Sequence, residues 1–570
     1  MPALPIIVGF GGISPAGRSS LHHAYRRLVY DQLPETVLSR TWEDLAELMG
    51  LPKVADFKEQ RDGRVHCSLR DAILAGTLIR NRKGESQGVV AEQERHSVSS
   101  AGLLPHGFDA RRYYRSAHHP KALAMTVFGA SDAMNSTGLD WAWLRQRIPA
   151  DQIAVYAGSS LGQLDDESGR GLMQSYLKGG RVSTKMLPFS FSEMPADFIN
   201  SYVMNSLGMT GHCAGACATF LYNLRLGVQD IVSERAQMAM VGSAEAPLVP
   251  EVIAGFESMG ALANDARLRD LAQSAEMDCR TACRPFSDNA GFVLGESAQF
   301  LVLMSDTLAL EVGATIYGSV PEVFVHADGN KTSISSPGVG NYLTMAKAAA
   351  LGRDLLGKEG LQKTFVQAHG TGTPQNRTTE SHILNETAQA FGLEKWPVTA
   401  MKAFLGHPLG PAAGDQLIMS LGVWEHGILP GIHSIDHLAE DVESSHLDIL
   451  MKPLSAGRKG EDFEGALINA KGFGGNNAST LLLSPARTRQ MLLKRFGSQK
   501  VWEHEQKNLA VQAQAMSYDT LAAQGNRSIY YSFGESVMGP SEVRLTSDQI
   551  TVGGFSIPLI RTHPYGAYIE

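Results

Sequence analysis

Cys217 follows the run Gly211–Ala216 and precedes the apolar series Phe220, Leu221, Leu224, Val228, Ile231 and Val232, whose spacing predicts a helix. A sulfur at a helix start meets the positive end of the dipole and unpaired backbone N–H groups, and both favour thiolate. His369 lies in Gln367–Pro374 (QAHGTGTP), just past an apolar strand. His407 lies in Lys402–Gly410 (KAFLGHPLG), a Gly/Pro loop ahead of a second helix. An isolated buried cysteine is more often structural, but a helix-start thiol with two loop imidazoles makes a nucleophile and acid/base set.

Other chemistries compete for these residues. Gly158-Ser159-Ser160-Leu161-Gly162 matches the G-x-S-x-G elbow and follows a strand, so Ser160 with a downstream Asp and His369 would make a serine hydrolase. Cys213/Cys217 and Cys279/Cys283 have a spacing that zinc accepts, but the first pair sits in an Ala/Gly run and the second flanks Arg280 and Thr281. No metal is expected. Gly9–Ser14 (GFGGIS) lacks the third glycine and the acidic partner of a dinucleotide loop, so no nucleotide cofactor is expected either.

Short β-branched runs ending in glycine-rich turns would position these residues: Ile6–Gly12, Ile153–Ser160, Met238–Ser243, Thr315–Val320, Thr364–Gly370 and Ala466–Gly475. Segments of helical spacing, such as Lys121–Met134 and Tyr342–Leu355, lie between them, which is the α/β signature. The order of units repeats. A strand ending in Gly158–Ser160, a helix from Ala216 and a strand ending in Val241–Ser243 are followed by a strand ending in His369–Thr371, a helix near Ala412–Gly414 and a strand ending in Gly472–Gly475. A duplication puts the glycine turns at the carboxyl ends of strands, where α/β sheets form their ligand crevice. The expected division is an N-terminal half over 1–310 with an insertion near 32–115, a C-terminal half over 311–485, and an extension over 486–570, helical and then β.

At 570 residues the chain exceeds one ordinary hydrophobic core. Its 43% hydrophobic and 19% charged residues are an ordinary globular balance, and the net charge of −8 gives no field that would draw in nucleic acid or an anionic membrane. The start resembles no signal peptide, and no apolar run approaches the ~18–20 residues of a membrane span, so a soluble cytoplasmic protein is expected. The cysteines Cys67, Cys213, Cys217, Cys279 and Cys283 do not form a disulfide framework, which fits a reducing compartment.

Five blocks together resemble the β-ketoacyl-acyl carrier protein synthases with a Cys-His-His active site: Val8–Gly17 (VGFGGISPAG), Gly211–Leu221, Val241–Pro247 (VGSAEAP), Arg284–Glu296 (RPFSDNAGFVLGE), and the run from His369 through Lys402 and His407 to Gly472–Asn477 (GFGGNN). The likeness spans Pro5–Asp31 and Ala117–Pro485. It implies the duplicated five-layered αβαβα thiolase-like fold and a homodimer, with Met238–Ser243 and Pro188–Leu207 near the interface and acyl tunnel. The implied partners are acyl carrier protein and malonyl and acyl thioesters, with acetyl-CoA one candidate primer.

The reaction implied is decarboxylative condensation in fatty acid synthesis. Cys217 would carry the acyl group, with the amides of Cys217 and Phe473 as oxyanion donors and His369 and His407 stabilising the enolate. Lys402 and Glu380 would form an ion pair holding His369. Thr371 and Thr373 would bind a pantetheine arm, and Phe473 beside Gly474 would act as a gate. Two departures from the family stand out. His212 occupies a position where Pro is common, and Thr219 and Phe220 follow Ala218 where small residues are usual. A ring one turn from the sulfur would narrow the acyl channel and select short primers such as acetyl, as in an initiating synthase. An inactive chain-length partner subunit is the non-enzyme alternative.

Overall fold

The computed structural model describes residues 2–51, 80–81, 97–116, 118–275, 277–331, 338–535, 539–552 and 554–559. Cys67 and much of the insertion lie outside them. In the N-terminal half the strands are β1 (Pro5–Ser14), β2 (Ile153–Gly158), β3 (Thr210–Gly211), β4 (Met238–Glu245) and β5 (Ser297–Ser305), with spatial order β3-β2-β4-β5-β1. The later strands that repeat this order are β6 (Gly318–Ser319), prolonged by β7 (Val323–Ala327), then β8 (Thr364–Gln367), β9 (Trp396–Thr399), β10 (Gly465–Gly472) and β11 (Asn476–Leu483), with spatial order β9-β8-β10-β11-β6 and the short strand Leu447–Ile449 added in parallel outside β9.

Both halves therefore run third-second-fourth-fifth-first. In each, the first three positions pair in parallel and the last two antiparallel. This is a duplication, and β1 pairs antiparallel with β6 to join the copies in one sheet.

Helices cover the strands because the strands are apolar on both faces. On β5, Phe300, Val302 and Met304 pack with Leu123, Val127 and Phe128 of α2 (Lys121–Ser136), while Leu301 and Leu303 face Leu224, Val228 and Ile231 of α3 (Thr219–Val232). The backbone of α2 lies so close to β1 that a Cβ on Gly11 would stand 2.2 Å from the Ala133 nitrogen. α4 (Gly340–Gln362) and α5 (Pro374–Phe391) cover the C-terminal half. Between the halves, α3 packs on α6 (Ala412–His426), and each touches strands of both copies. The layers are helix, sheet, helix, sheet, helix, and the nucleophile's helix belongs to the middle one.

The added segments join through buried charge. In the insertion, α1 (Glu35–Leu48) packs on α7 (Pro485–Ala523), a helix interrupted at Gly497 (φ 82°). Arg18 is fully buried, with Nε 2.8 Å from Asp44 and Nη2 2.5 Å from Asp519. His23 Nε2 lies 2.7 Å from Asp519, and Arg527 reaches Asp44 at 3.1 Å and Glu47 at 2.9 Å. After α7 comes a three-stranded meander, β12 (Val543–Leu545), β13 (Gln549–Val552) and β14 (Phe555–Pro558). Among the described residues no helix is long and apolar enough to cross a membrane.

Candidate active site

Cys217 sits in a single 3₁₀ turn, Ala216–Ala218, that opens α3. Ala216 takes φ 50°, a left-handed conformation costly for a residue with a Cβ, and the turn is held by Thr219, whose hydroxyl donates to the Ala216 carbonyl at 2.7 Å and accepts from the Gly215 N–H at 3.0 Å. Asn223 anchors the preceding loop, accepting the Cys213 N–H at 3.0 Å and donating to the Gly242 carbonyl at 3.1 Å.

Cys217, His369 and His407 line one cavity of about 570 Å³, together with Thr371, Thr373 and Phe473. The two imidazole rings are 5.5 Å apart and nearly perpendicular. Backbone N–H groups of Phe473 and of Cys217 itself point at the sulfur. Phe473 lies in the tight loop between β10 and β11, followed by Gly474 and Gly475 at φ 84° and 87°. The Thr371 and Thr373 hydroxyls are 3.0 Å apart.

Burial dominates the electrostatics. It pushes the Cys217 thiol up to about 11 against the opposing pull of Lys402 and the two backbone N–H groups. The helix start alone therefore does not hold a resting thiolate, because desolvation outweighs it. Burial, reinforced by Lys402, holds both histidines well below their ordinary value, so both are neutral. His369 Nδ1 accepts the Lys471 N–H and His407 Nδ1 accepts the Leu409 N–H, each at 3.3 Å. In a neutral imidazole the proton then belongs on Nε2. Both rings are Nε2–H donors.

Lys402 and Glu380 do not pair with each other. Lys402 Nζ donates to the His369 carbonyl at 2.5 Å, and Glu380 accepts the N–H groups of His369 at 2.6 Å and Gly370 at 2.8 Å. Each grips the backbone of the histidine from its own side, since a buried peptide offers both a donor and an acceptor. Phe220 is also placed differently from expectation. It is fully buried in the middle layer, packed so closely on α6 that a Cβ on Gly414 would stand 2.6 Å from its ring, and it does not line the cavity. The aromatic wall near the sulfur comes instead from Phe256, Phe292 and Phe473, with Ile253 and Leu409. Ser160 donates to the Glu245 carboxylate at 2.6 Å and is absent from the cavity wall. Its elbow makes no triad with His369.

Sequence reasoning missed Lys471, Asn376 and Phe292, which also line the cavity. Phe292 stands in the quoted block Arg284–Glu296, and Lys471 is the lone charge in the otherwise uncharged strand β10.

The chain matches the family described as Beta-ketoacyl synthase, N-terminal domain, over residues 95–309 and its C-terminal domain over residues 317–436. It is 42% identical to the beta-ketoacyl-[acyl-carrier-protein] synthase FabY of Pseudomonas aeruginosa, over 98% of both chains. The chain belongs to the β-ketoacyl synthase family.

The synthase also superposes on the crystal structure of the noncanonical ketosynthase FabY from P. aeruginosa with a TM-score of 0.94 and 40% identity, covering 100% of this chain and 99% of that one. A 3-oxoacyl-[acyl-carrier-protein] synthase 2 of Staphylococcus aureus is 32% identical over 58% of this chain and 76% of its own. The ishigamide ketosynthase/chain length factor shares the fold at a TM-score of 0.61 and 21% identity, covering 85% of this chain and 100% of that one.

Proposed function

We propose that the synthase catalyses decarboxylative Claisen condensation of a short acyl primer with malonyl-acyl carrier protein, the initiating step of fatty acid synthesis. The observation that carries this reading is the convergence of one thiol and two Nε2–H donors on a single cavity.

The Cys217 sulfur attacks the primer thioester while the Cys217 and Phe473 amides receive the oxyanion, and the departing pantetheine thiol takes up the proton Cys217 gives up. The malonyl thioester then loses carbon dioxide. Its carbonyl oxygen takes the negative charge and accepts from His369 and His407, and the enolate carbon bonds to the acyl carbon as the Cys217 thiolate leaves and takes one proton from solvent. One such oxyanion donor is worth about 3–4 kcal/mol. Thr371 and Thr373 bind the pantetheine arm, and Phe473 moves between acylation and condensation on its glycine-flanked loop.

The ring wall of Phe256, Phe292 and Phe473 around Cys217 supports a short primer such as acetyl, on coenzyme A or carrier protein. Relatives whose names specify acyl carrier protein support that partner. The edge of β3, unpaired among the described residues, and the exposed apolar side chains of Leu161, Tyr176 and Phe191 support a homodimer, which light scattering checks. Cys217→Gln tests the division of roles: condensation is abolished while malonyl decarboxylation persists or rises. Loss of both would contradict it.

A further inference from the structure

Lys471 lies near the end of β10, on the wall of the reaction cavity, and is a cation that the mechanism leaves without a task. Its backbone N–H fixes the tautomer of His369, and its side chain lies deep in the fold with part of its surface open to the cavity. The Nζ donates to Asn376 Oδ1 at 3.1 Å and Thr379 Oγ1 at 3.0 Å. Both are neutral acceptors, and they use two of the ammonium's three protons. Among the described residues no carboxylate lies within 4.0 Å of Nζ; Glu380 and Asp328 act on it only from farther off, whereas Lys331 on the same cavity faces Asp328 at 3.9 Å. Asn376 in turn donates to Glu380 at 2.8 Å, so the acceptors that aim the ammonium are fixed to the same acid that holds His369. A desolvated cation without a carboxylate in direct contact is costly, and an arriving anion would complete it. Burial lowers its basicity, and an incoming anion reverses that effect.

We infer that Lys471 is the carboxylate-recognising residue of the cavity, its free N–H receiving the carboxylate of the malonyl group and so distinguishing extender from primer. This rests on the condensation reading above, in which only one of the two substrates carries that charge. Because the carboxylate leaves as carbon dioxide, the contact belongs to the ground state. Its loss should raise KM for malonyl-acyl carrier protein without a matching fall in kcat.

The test uses charge alone. Wild type, Lys471→Met and Lys471→Arg are alkylated with iodoacetate, an anion, and with iodoacetamide, its neutral counterpart, and adduct formation on Cys217 is timed by mass spectrometry. The ratio of the two rates cancels any change in thiol reactivity or fold. Expected is a fall of about tenfold in the iodoacetate-to-iodoacetamide ratio for Lys471→Met, the size of one charge-assisted hydrogen bond, with Lys471→Arg near wild type. In steady state Lys471→Met should raise KM for the malonyl substrate by a similar factor. A ratio unchanged in Lys471→Met overturns the inference. A wild type whose ratio depends on Lys471 but which does not condense malonyl-acyl carrier protein overturns the functional reading instead and leaves an anion site.

Discussion

Glu380 and Lys402 hold the His369–Gly370 peptide from opposite sides: Glu380 accepts the Gly370 N–H at 2.8 Å, and Lys402 donates to the His369 carbonyl at 2.5 Å. Glu380 also receives the side-chain amides of Asn376 and Asn469, each at 2.8 Å, so its carboxylate is ringed by donors. Glu380→Gln would turn an N–H toward N–H groups at one of those positions. The expected result is a fall of about 10–100-fold in malonyl decarboxylation, the usual size for a residue that orients a functional group. Cys217 should still react with iodoacetamide. A variant with full decarboxylation would show that the His369 backbone needs no such grip.

Removing a donor should cost more than removing its support. His369→Ala or His407→Ala should each lower decarboxylation by about 10²–10³-fold, and the double variant should be little worse than either single one, because residues acting as a unit are not additive. Single-turnover decarboxylation of malonyl-acyl carrier protein measures this directly.

Asp415 connects the site to stability. It is buried on α6, accepts from Ser297 at 2.9 Å and Gln299 at 2.7 Å through Oδ1, and has no partner at Oδ2. Burial pushes its carboxyl up to about 7. A carboxyl raised in the folded state favours folding while protonated, so its contribution is complete below about pH 4 and is lost as pH climbs to about 7, on the order of 4 kcal/mol. Asp415→Asn keeps the Oδ1 acceptor and removes the ionisation. Its Tm should exceed wild type at pH 8, and the difference should shrink toward pH 5. An equal difference at both pH values would contradict buried ionisation.

The buried cluster around Arg18 ties the insertion to the extension. Asp519, held well below the usual carboxylate range by His23 and Arg18 against its burial, is the carboxylate that the Arg18 cation and the His23 imidazole both reach. Asp519→Asn leaves the fully buried Arg18 with a reduced counter-charge, at a cost of about 3–5 kcal/mol. A lowered Tm and earlier tryptic cleavage within 486–535 are expected.

Much of this was legible in the chain. β2, β4, β8 and β10 were readable from short apolar runs that meet glycines, although β4 runs on through Gly242-Ser243 to Glu245 without turning. β5 and β11 were not, since these antiparallel returns open on Ser297-Ala298-Gln299 and Asn476-Asn477, polar residues whose partners lie far along the chain, Asp415 for Ser297 and Gln299 and Asp328 for Asn477. At the site, Cys217, His369 and His407 were readable from their loops. Phe220 was misplaced because helical spacing fixes distance from the sulfur but not the side facing it, and its ring goes to α6. Lys402 and Glu380 have opposite charges, and only the structure shows that a peptide lies between them.

The central claim is that Cys217 carries the primer and surrenders it to a malonyl-derived enolate. The direct measurement is mass spectrometry of the intact synthase after an acetyl thioester is added, and again after malonyl-acyl carrier protein is added. The account predicts one acetyl adduct per chain, mapped to Cys217 and absent from Cys217→Ala, which disappears as acetoacetyl-acyl carrier protein forms. An acetyl group on Ser160, or an adduct on Cys217 that malonyl-acyl carrier protein does not discharge, would contradict it.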